Sequence, residues 1–296
     1  MDSYTPITLP YIAPASRLPA PLPTQTEVLA SKDFLQQPQS FKDTRIVRVG
    51  EYFVAKYGAD VKAVEGENML FVKEHTNIPV PQVYAIYTFD EGKTMLIMEY
   101  IAGTSLKACM ETPGYGLTPV FDQLKAQVGE LRRIPAGDYF GSIGRRPFTD
   151  AYSLITYGPF DNIKEVLCAI FDGMMPPRSG QRFTNIRSFF LNTLQTLTSS
   201  RGLIHPVFTH GDLHEENIIV RPDGTPIIID YEAAGFYPAY HEYLSAVELG
   251  EQYNLVDPFP EEKQLIDDTT RAWDKALLDE MASDQFNGFS EEQWKL

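Results

Sequence analysis

Cysteine is nearly missing from this chain: 296 residues hold only Cys109 and Cys168. Two thiols supply neither a disulfide framework nor a cysteine metal quartet, and they fit a reducing, cytoplasmic setting. Long apolar runs are missing too. No stretch of about 18 apolar residues occurs, so no membrane span is expected. The first residues carry neither the basic segment nor the apolar core of a secretory signal. Positive charge is scarce, with 25 Lys and Arg against 40 Asp and Glu and a net charge of −15. A protein that tracks nucleic-acid phosphates needs a basic face, so nucleic acid is not an expected partner. The acidic balance serves solubility first, and as a long-range field it favours a cationic small molecule over an anionic one.

Apolar residues make up 43% of the chain, enough to bury one large core or two lobes with a cleft between them. Residues 1–40 stand apart by composition, since "TPITLPYIAPASRLPAPLPT" alone carries six prolines. Neither a helix interior nor a central strand tolerates that density. An extended arm is expected, with Ile7, Leu9, Tyr11 and Ile12 as its apolar positions. Residues 41–101 read as a small β-rich lobe. "TRIVRVG" and "YFVAKYG" form a hairpin about Gly50 and Glu51, "AVEGENMLFVKEHTN" a helix, and "IPVPQVYAIYTF" and "TMLIMEYI" two strands. Residues 102–296 turn helical. Val120, Phe121, Leu124, Val128 and Leu131 recur at helical spacing, as do Ile186, Phe189, Phe190, Leu194 and Leu197.

Inside that second part lies "FTHGDLHEENIIV", residues 208–220, which crowds histidines, carboxylates and an asparagine ahead of a strand. "NIIV" reads as a strand, "RPDG" as a turn and "TPIIID" as a second strand. Antiparallel pairing brings Asn217 and Asp230 to one end of the hairpin, with Asp212 one short loop away. A polar loop, a metal-dependent phosphoesterase and a phosphotransferase compete for this pattern. Two-metal hydrolases spread several His and Asp ligands over separate loops. Of five histidines here, only His205, His210 and His214 lie close in sequence, and no second Gly-Asp loop accompanies them. Phosphoryl transfer asks for metal ions on the phosphates, a cation on the phosphate tail and a base that aligns the attacking hydroxyl. Asp230 and Asn217 suit Mg²⁺, which takes oxygen ligands and few carboxylates. Asp212, five residues before Asn217, suits the base.

"HGDLHEENIIV" followed by "IIIDYE" resembles the catalytic loop and metal-binding segment of the aminoglycoside phosphotransferase and choline kinase-like family, distant relatives of protein kinases. "VAKYG", "EGENMLFVKEHTNIPVPQVY", "LIMEYIAGTSL" and "GFYPAYHEY" extend the resemblance in order over roughly residues 41–250. It implies an α+β, bilobal protein-kinase-like fold, with a small β-rich N-lobe at 41–101 bearing one helix and a larger α-rich C-lobe at 102–296. It also implies Lys56 on the phosphates, Glu65 as the partner of Lys56, and a hinge from Met98 to Ile101 whose backbone at Glu99 and Ile101 holds the adenine. Ile219 and Ile229 complete the nucleotide site. The expected donor is ATP, with GTP as the alternative, and Mg²⁺ is the expected ion. A hydroxyl-bearing small molecule is the expected acceptor. Protein kinases write the loop H-R-D and the later segment D-F-G. Gly211 and Asp230-Tyr231-Glu232 stand here instead, which points away from protein substrates.

Several residues admit plainer roles. His210 reads as structural, its imidazole bonded to backbone near Asp230, and His214 as a solvated loop residue. Glu67 competes with Glu65, two positions along the helix and on another face. Tyr231 suits packing, and Glu232 lies near the metals or bonds locally. "RVGEYFV" offers only Gly50 in place of a glycine-rich phosphate loop. A catalytically inactive, kinase-like protein that serves in nucleotide binding or as a scaffold would carry the same residues and is the alternative function.

Overall fold

A computed structural model describes residues 4–36, 43–90, 92–148, 157–166, 169, 205–239 and 241–242. The expected helix carrying Ile186 to Leu197 and the C-terminal helices beyond residue 242 lie outside the described residues. Eleven strands and four α-helices are described: β1 Tyr11–Ile12, α1 Gln25–Ala30, β2 Phe34–Gln36, β3 Arg45–Val49, β4 Phe53–Gly58, α2 Ala63–His75, β5 Val83–Phe89, β6 Lys93–Glu99, β7 Thr104–Ser105, α3 Leu106–Met110, α4 Thr118–Leu131, β8 Pro206–Thr209, β9 Ile218–Val220, β10 Pro226–Ile228 and β11 Gly235–Pro238. Three antiparallel sheets result. Their strand orders are β1-β5-β6-β4-β3-β2, β10-β9-β7 and β11-β8.

The large sheet is wider than the four strands read from sequence. The Pro-rich segment adds one short strand at each edge: Tyr11 and Ile12 pair with Ile86 and Ala85, and Phe34 pairs with Val47. Edges are where proline density is tolerated. Between these strands a capping box starts α1, with Thr24 Oγ1 accepting from Glu27 N and Glu27 returning to Thr24 N. Val28 of α1 is fully buried against the sheet, together with Ala13 and, partly buried, Leu18, Ala20 and Leu22. The arm therefore packs on one face of the sheet.

Period-two alternation divides the central strands between two cores. Phe53 and Ala55 of β4 and Met95 and Ile97 of β6 face the arm, while Leu96 and half-buried Met98 join the other core. That second core is continuous from α2 through β5 and β6 to α3, α4 and strands β8 to β10 and β11. Phe71 of α2 joins the two parts, its ring 5.4 Å from Phe208 and 6.3 Å from Phe236. α2 packs close to the sheet because residue 66 is glycine. A Cβ there would come within 2.5 Å of the Ile86 side chain.

Candidate active site

Parity decides what Lys56 does. Its strand neighbour Ala55 faces the arm, so Lys56 faces α2 and the β9–β10 hairpin, and it is 5% exposed. Nζ lies 2.7 Å from Glu65 Oε2, 2.9 Å from Asp230 Oδ1 and 3.8 Å from Glu232 Oε2. Carboxylate oxygens of these three residues lie within 4.8 Å of one another, a spacing that would also suit a metal ion. Here the ammonium sits among them. Burial works against its charge, but the carboxylates outweigh burial and hold its pKa above the ordinary lysine range. Burial pushes the Glu65 carboxyl up, with Lys56 opposing. Glu65 Oε2 meets the ammonium as a close ion pair outside hydrogen-bond alignment. Burial also acts to raise the partly exposed Asp230, yet Lys56 holds it below the usual carboxylate range.

The hairpin works as its sequence suggests. Ile218 pairs with Ile228 and Ile219 with Ile227, and Ile229 N donates to Asn217 O at 2.9 Å. Asn217, closing a 3₁₀ turn, donates through Nδ2 to Asp212 O at 2.9 Å and to Asp212 Oδ2 at 3.1 Å. That fixes the Asp212 carboxylate and turns the amide oxygen of Asn217 the other way. Asp230 adopts φ 63° and ψ 63°, a left-handed conformation that a non-glycine residue rarely holds without a local reason.

His210 is structural in detail. Nε2 lies 3.0 Å from Ile229 O, and Nδ1 receives Asp212 N at 3.3 Å, so the ring staples the loop to the strand that leads into Asp230. With the ring proton on Nε2, that nitrogen donates to Ile229 O and Nδ1 accepts from Asp212 N. Gly211 has φ 83°, and a Cβ on it would stand 2.6 Å from Ala233 O. No arginine fits there, which gives the departure from the protein-kinase loop a steric cause. Below it, buried Glu242 accepts from His210 N at 2.6 Å and Gly211 N at 3.1 Å. Sequence reading missed Glu242, because its partners are backbone amides more than thirty positions upstream and carry no residue signature. It also missed Asn68, whose Nδ2 donates to Tyr231 O at 2.8 Å and Ala234 O at 3.2 Å. One signal existed: Asn68 is three residues after Glu65 and shares its helix face.

Glu65 and Glu67 separate cleanly. Glu65 meets Lys56, while Glu67 meets Tyr4 and Arg146. His214 is half-buried rather than solvated, with Nε2 3.7 Å from Asp212 Oδ2. Met98 and Glu99 end β6, and Ile101 follows, 6% exposed. The Glu99 carboxylate receives Arg221 Nη2 at 3.0 Å, tying the end of the large sheet to the hairpin. Ile219 and Ile229 are half-buried on that hairpin. The residues named from sequence thus fall into three groups: Lys56, Glu65 and Asp230 in direct contact, Asp212 with Asn217, and Met98, Glu99 and Ile101 at the sheet end.

An antiparallel sheet with the lysine-pairing helix α2 on one face, set on a loop and hairpin that carry such carboxylates, is the architecture of a protein-kinase-like phosphotransferase. The phosphotransferase enzyme family profile matches residues 46–282, and the chain belongs to that family. It is an aminoglycoside-phosphotransferase-like kinase, an enzyme class acting on hydroxyls of small molecules. No curated protein matches the sequence. Its fold is similar to a thermostable mutant of aminoglycoside phosphotransferase APH(4)-Ia in ternary complex with ADP and hygromycin B, with a TM-score of 0.53 and 14% identity over 88% of this chain and 97% of that one. It is also similar to the streptomycin–ATP–APH(2")-IIa complex, with a TM-score of 0.50 and 13% identity over 84% and 88%. Among the described residues no helix is long and apolar enough to cross a membrane.

Proposed function

We propose that this enzyme moves the γ-phosphate of ATP to a hydroxyl of a small molecule, in the cytoplasm, with Mg²⁺. The observation that carries this reading is the meeting of Lys56 with Glu65 and Asp230, beside an Asp212 carboxylate oriented by Asn217. Lys56, fixed by Glu65, grips the α- and β-phosphates. Backbone groups at Glu99 and Ile101 hold the adenine, between Met98, Ile219 and Ile229. Asp212 accepts the hydrogen bond of the acceptor hydroxyl and sets it in line with the phosphorus. One carboxylate, of Asp230, and one amide oxygen, of Asn217, are hard-oxygen donors of the kind Mg²⁺ takes, and these two residues would hold it. The ion would supply charge neutralisation on the phosphate oxygens. The two similar structures hold ADP with hygromycin B and ATP with streptomycin, the donor and acceptor types proposed here. The net charge of −15 favours a cationic acceptor.

ATP consumption across a panel of hydroxylated metabolites, cationic and neutral, tests this with Asp212→Asn as the background. The variant should lose turnover by about 10²–10⁴-fold while its thermal shift with Mg²⁺–ATP survives. Undiminished turnover would remove Asp212 from its role. No thermal shift in the parent protein with either ATP or GTP would favour a silent scaffold instead.

A further inference from the structure

The helix that carries Glu65 is held on its other side by a junction the transfer reaction does not use. Glu67 is 7% exposed although it is a carboxylate. Two residues on from Glu65, it projects about 200° around the helix. Its Oε2 accepts from Tyr4 Oη at 2.6 Å and from the guanidinium of Arg146. The same guanidinium lies 5.5 Å above the Tyr4 ring, and that ring meets Phe71 edge-on at 6.0 Å. Tyr4 comes from the Pro-rich arm, Glu67 and Phe71 from α2, and Arg146 from the chain beyond α4.

Each contributor is itself anchored. Arg146 Nε donates to Ile143 O at 2.8 Å, and Arg146 N and Ser142 N exchange bonds with each other's carbonyls. Gly141 exchanges two backbone bonds with Phe236 of β11, at 3.0 and 2.8 Å, just past Asp230-Tyr231-Glu232. A side chain at Gly144 would press on the Tyr4 ring, with a Cβ 2.9 Å from it. On the arm, Tyr11 and Ile12 are paired into the sheet edge. The junction therefore spans the arm, the helix and the β11 side of the site.

We infer that Tyr4 and Arg146 are positioning residues: by clasping Glu67 from two directions they fix α2 and so hold Glu65 against Lys56. The inference rests on the phosphate-gripping role read for Lys56. Burying Glu67 without partners is unfavourable, so the carboxylate stays inward only while both donors are in place. Losing either one lets α2 turn outward, and the Glu65–Lys56 contact on the opposite face loosens with it. The Pro-rich arm is on this account part of the nucleotide apparatus as well as a cover for the sheet.

The full-length protein tests this through Tyr4→Ala, Tyr4→Phe, Arg146→Met and Arg146→Lys. Amide hydrogen exchange without nucleotide reads α2 directly, and calorimetry reads Mg²⁺–ATP binding. Tyr4→Ala and Arg146→Met should speed exchange across Ala63–His75 by about tenfold, the scale of a lost hydrogen bond to a charged group. Both should weaken Mg²⁺–ATP binding, as should Tyr4→Phe, which removes the hydroxyl donor, with Arg146→Lys falling between them and the parent protein. Unchanged exchange in α2, even with a lowered melting temperature, overturns the inference and leaves the junction as packing. Faster exchange in α2 beside a parent protein that binds no Mg²⁺–ATP supports the clasp and sinks the nucleotide reading.

Discussion

Both faces of the large sheet bury apolar side chains, but the α2 face buries charged ones as well. Toward the arm lie Val47, Phe53, Ala55, Tyr84, Ala85, Met95 and Ile97, and α1 adds Val28. Toward α2 the same strands present Lys56, and the helix brings Glu65, Glu67 and Asn68, all buried. A buried charge persists only where partners repay its desolvation. On the α2 side every one of these groups has a named partner, and each partner lies on a different segment. The arm side needs only apolar contact, so a proline-rich chain with little regular structure suffices to cover it. Polarity under cover is thus the feature that separates the working face from the supporting one.

The largest effect should come from the working face. Lys56→Met should lower turnover by about a hundredfold or more if Lys56 grips the phosphates as proposed, because it removes that cation. Its effect on stability should depend on pH. Burial, with Asp230 and Glu232 adding to it, then raises a Glu65 carboxyl that titrates near about 4.3 in the unfolded chain. A raised folded-state pKa stabilises below the unfolded value and loses that contribution as pH rises through the folded one. Glu65 is already pushed up to about 8 beside Lys56, so above about pH 8 the melting temperature should go on falling for Lys56→Met while this contribution levels off in the parent. Parallel curves would mean Glu65 is not confined as the ion pair implies.

The supporting face should respond the other way round. Ile97 is 1% exposed and touches only the arm-side core. Ile97→Ala should cost about 3 kcal/mol of stability, read from urea unfolding, while turnover per folded molecule stays within about twofold of the parent. A large loss of turnover at full folding would mean the two faces are not independent across β6.

Much of this was legible in the sequence, and the part that was not has a physical cause. The hairpin could be read because turn chemistry and alternation fix its register, and register alone brings Asn217 opposite Ile229. Asp212 followed from its spacing to Asn217 within one loop. The arm was opaque. Its strands are two and three residues long, too short for alternation to show. The sign of its presence lay elsewhere, in "MLIM" of β6, since a continuous apolar run marks a strand covered on both faces. Glu242 and the Tyr4–Glu67–Arg146 junction were invisible for a different reason. They join residues 31 to 79 positions apart, through contacts that no local pattern encodes.

The smallest expected effect concerns the residue whose surroundings were read least well. His214 Nε2 lies 3.7 Å from the Asp212 carboxylate. That carboxylate raises the imidazole pKa, burial opposes it, and Glu215 and Glu216 add to the rise. Histidine titrates near about 6.5 in an unfolded chain. The pairing therefore stabilises the fold fully below that value and is lost as pH rises through the higher folded one. NMR titration should place His214 above its unfolded value in the parent and return it toward that value in Asp212→Asn. Asn keeps the shape of Asp212 and removes its charge, so the comparison isolates the electrostatic contact from the loop's packing. If the two titration curves coincide, the imidazole is responding to Glu215 and Glu216 rather than to Asp212. His214 then belongs with the solvated loop and not with the working face.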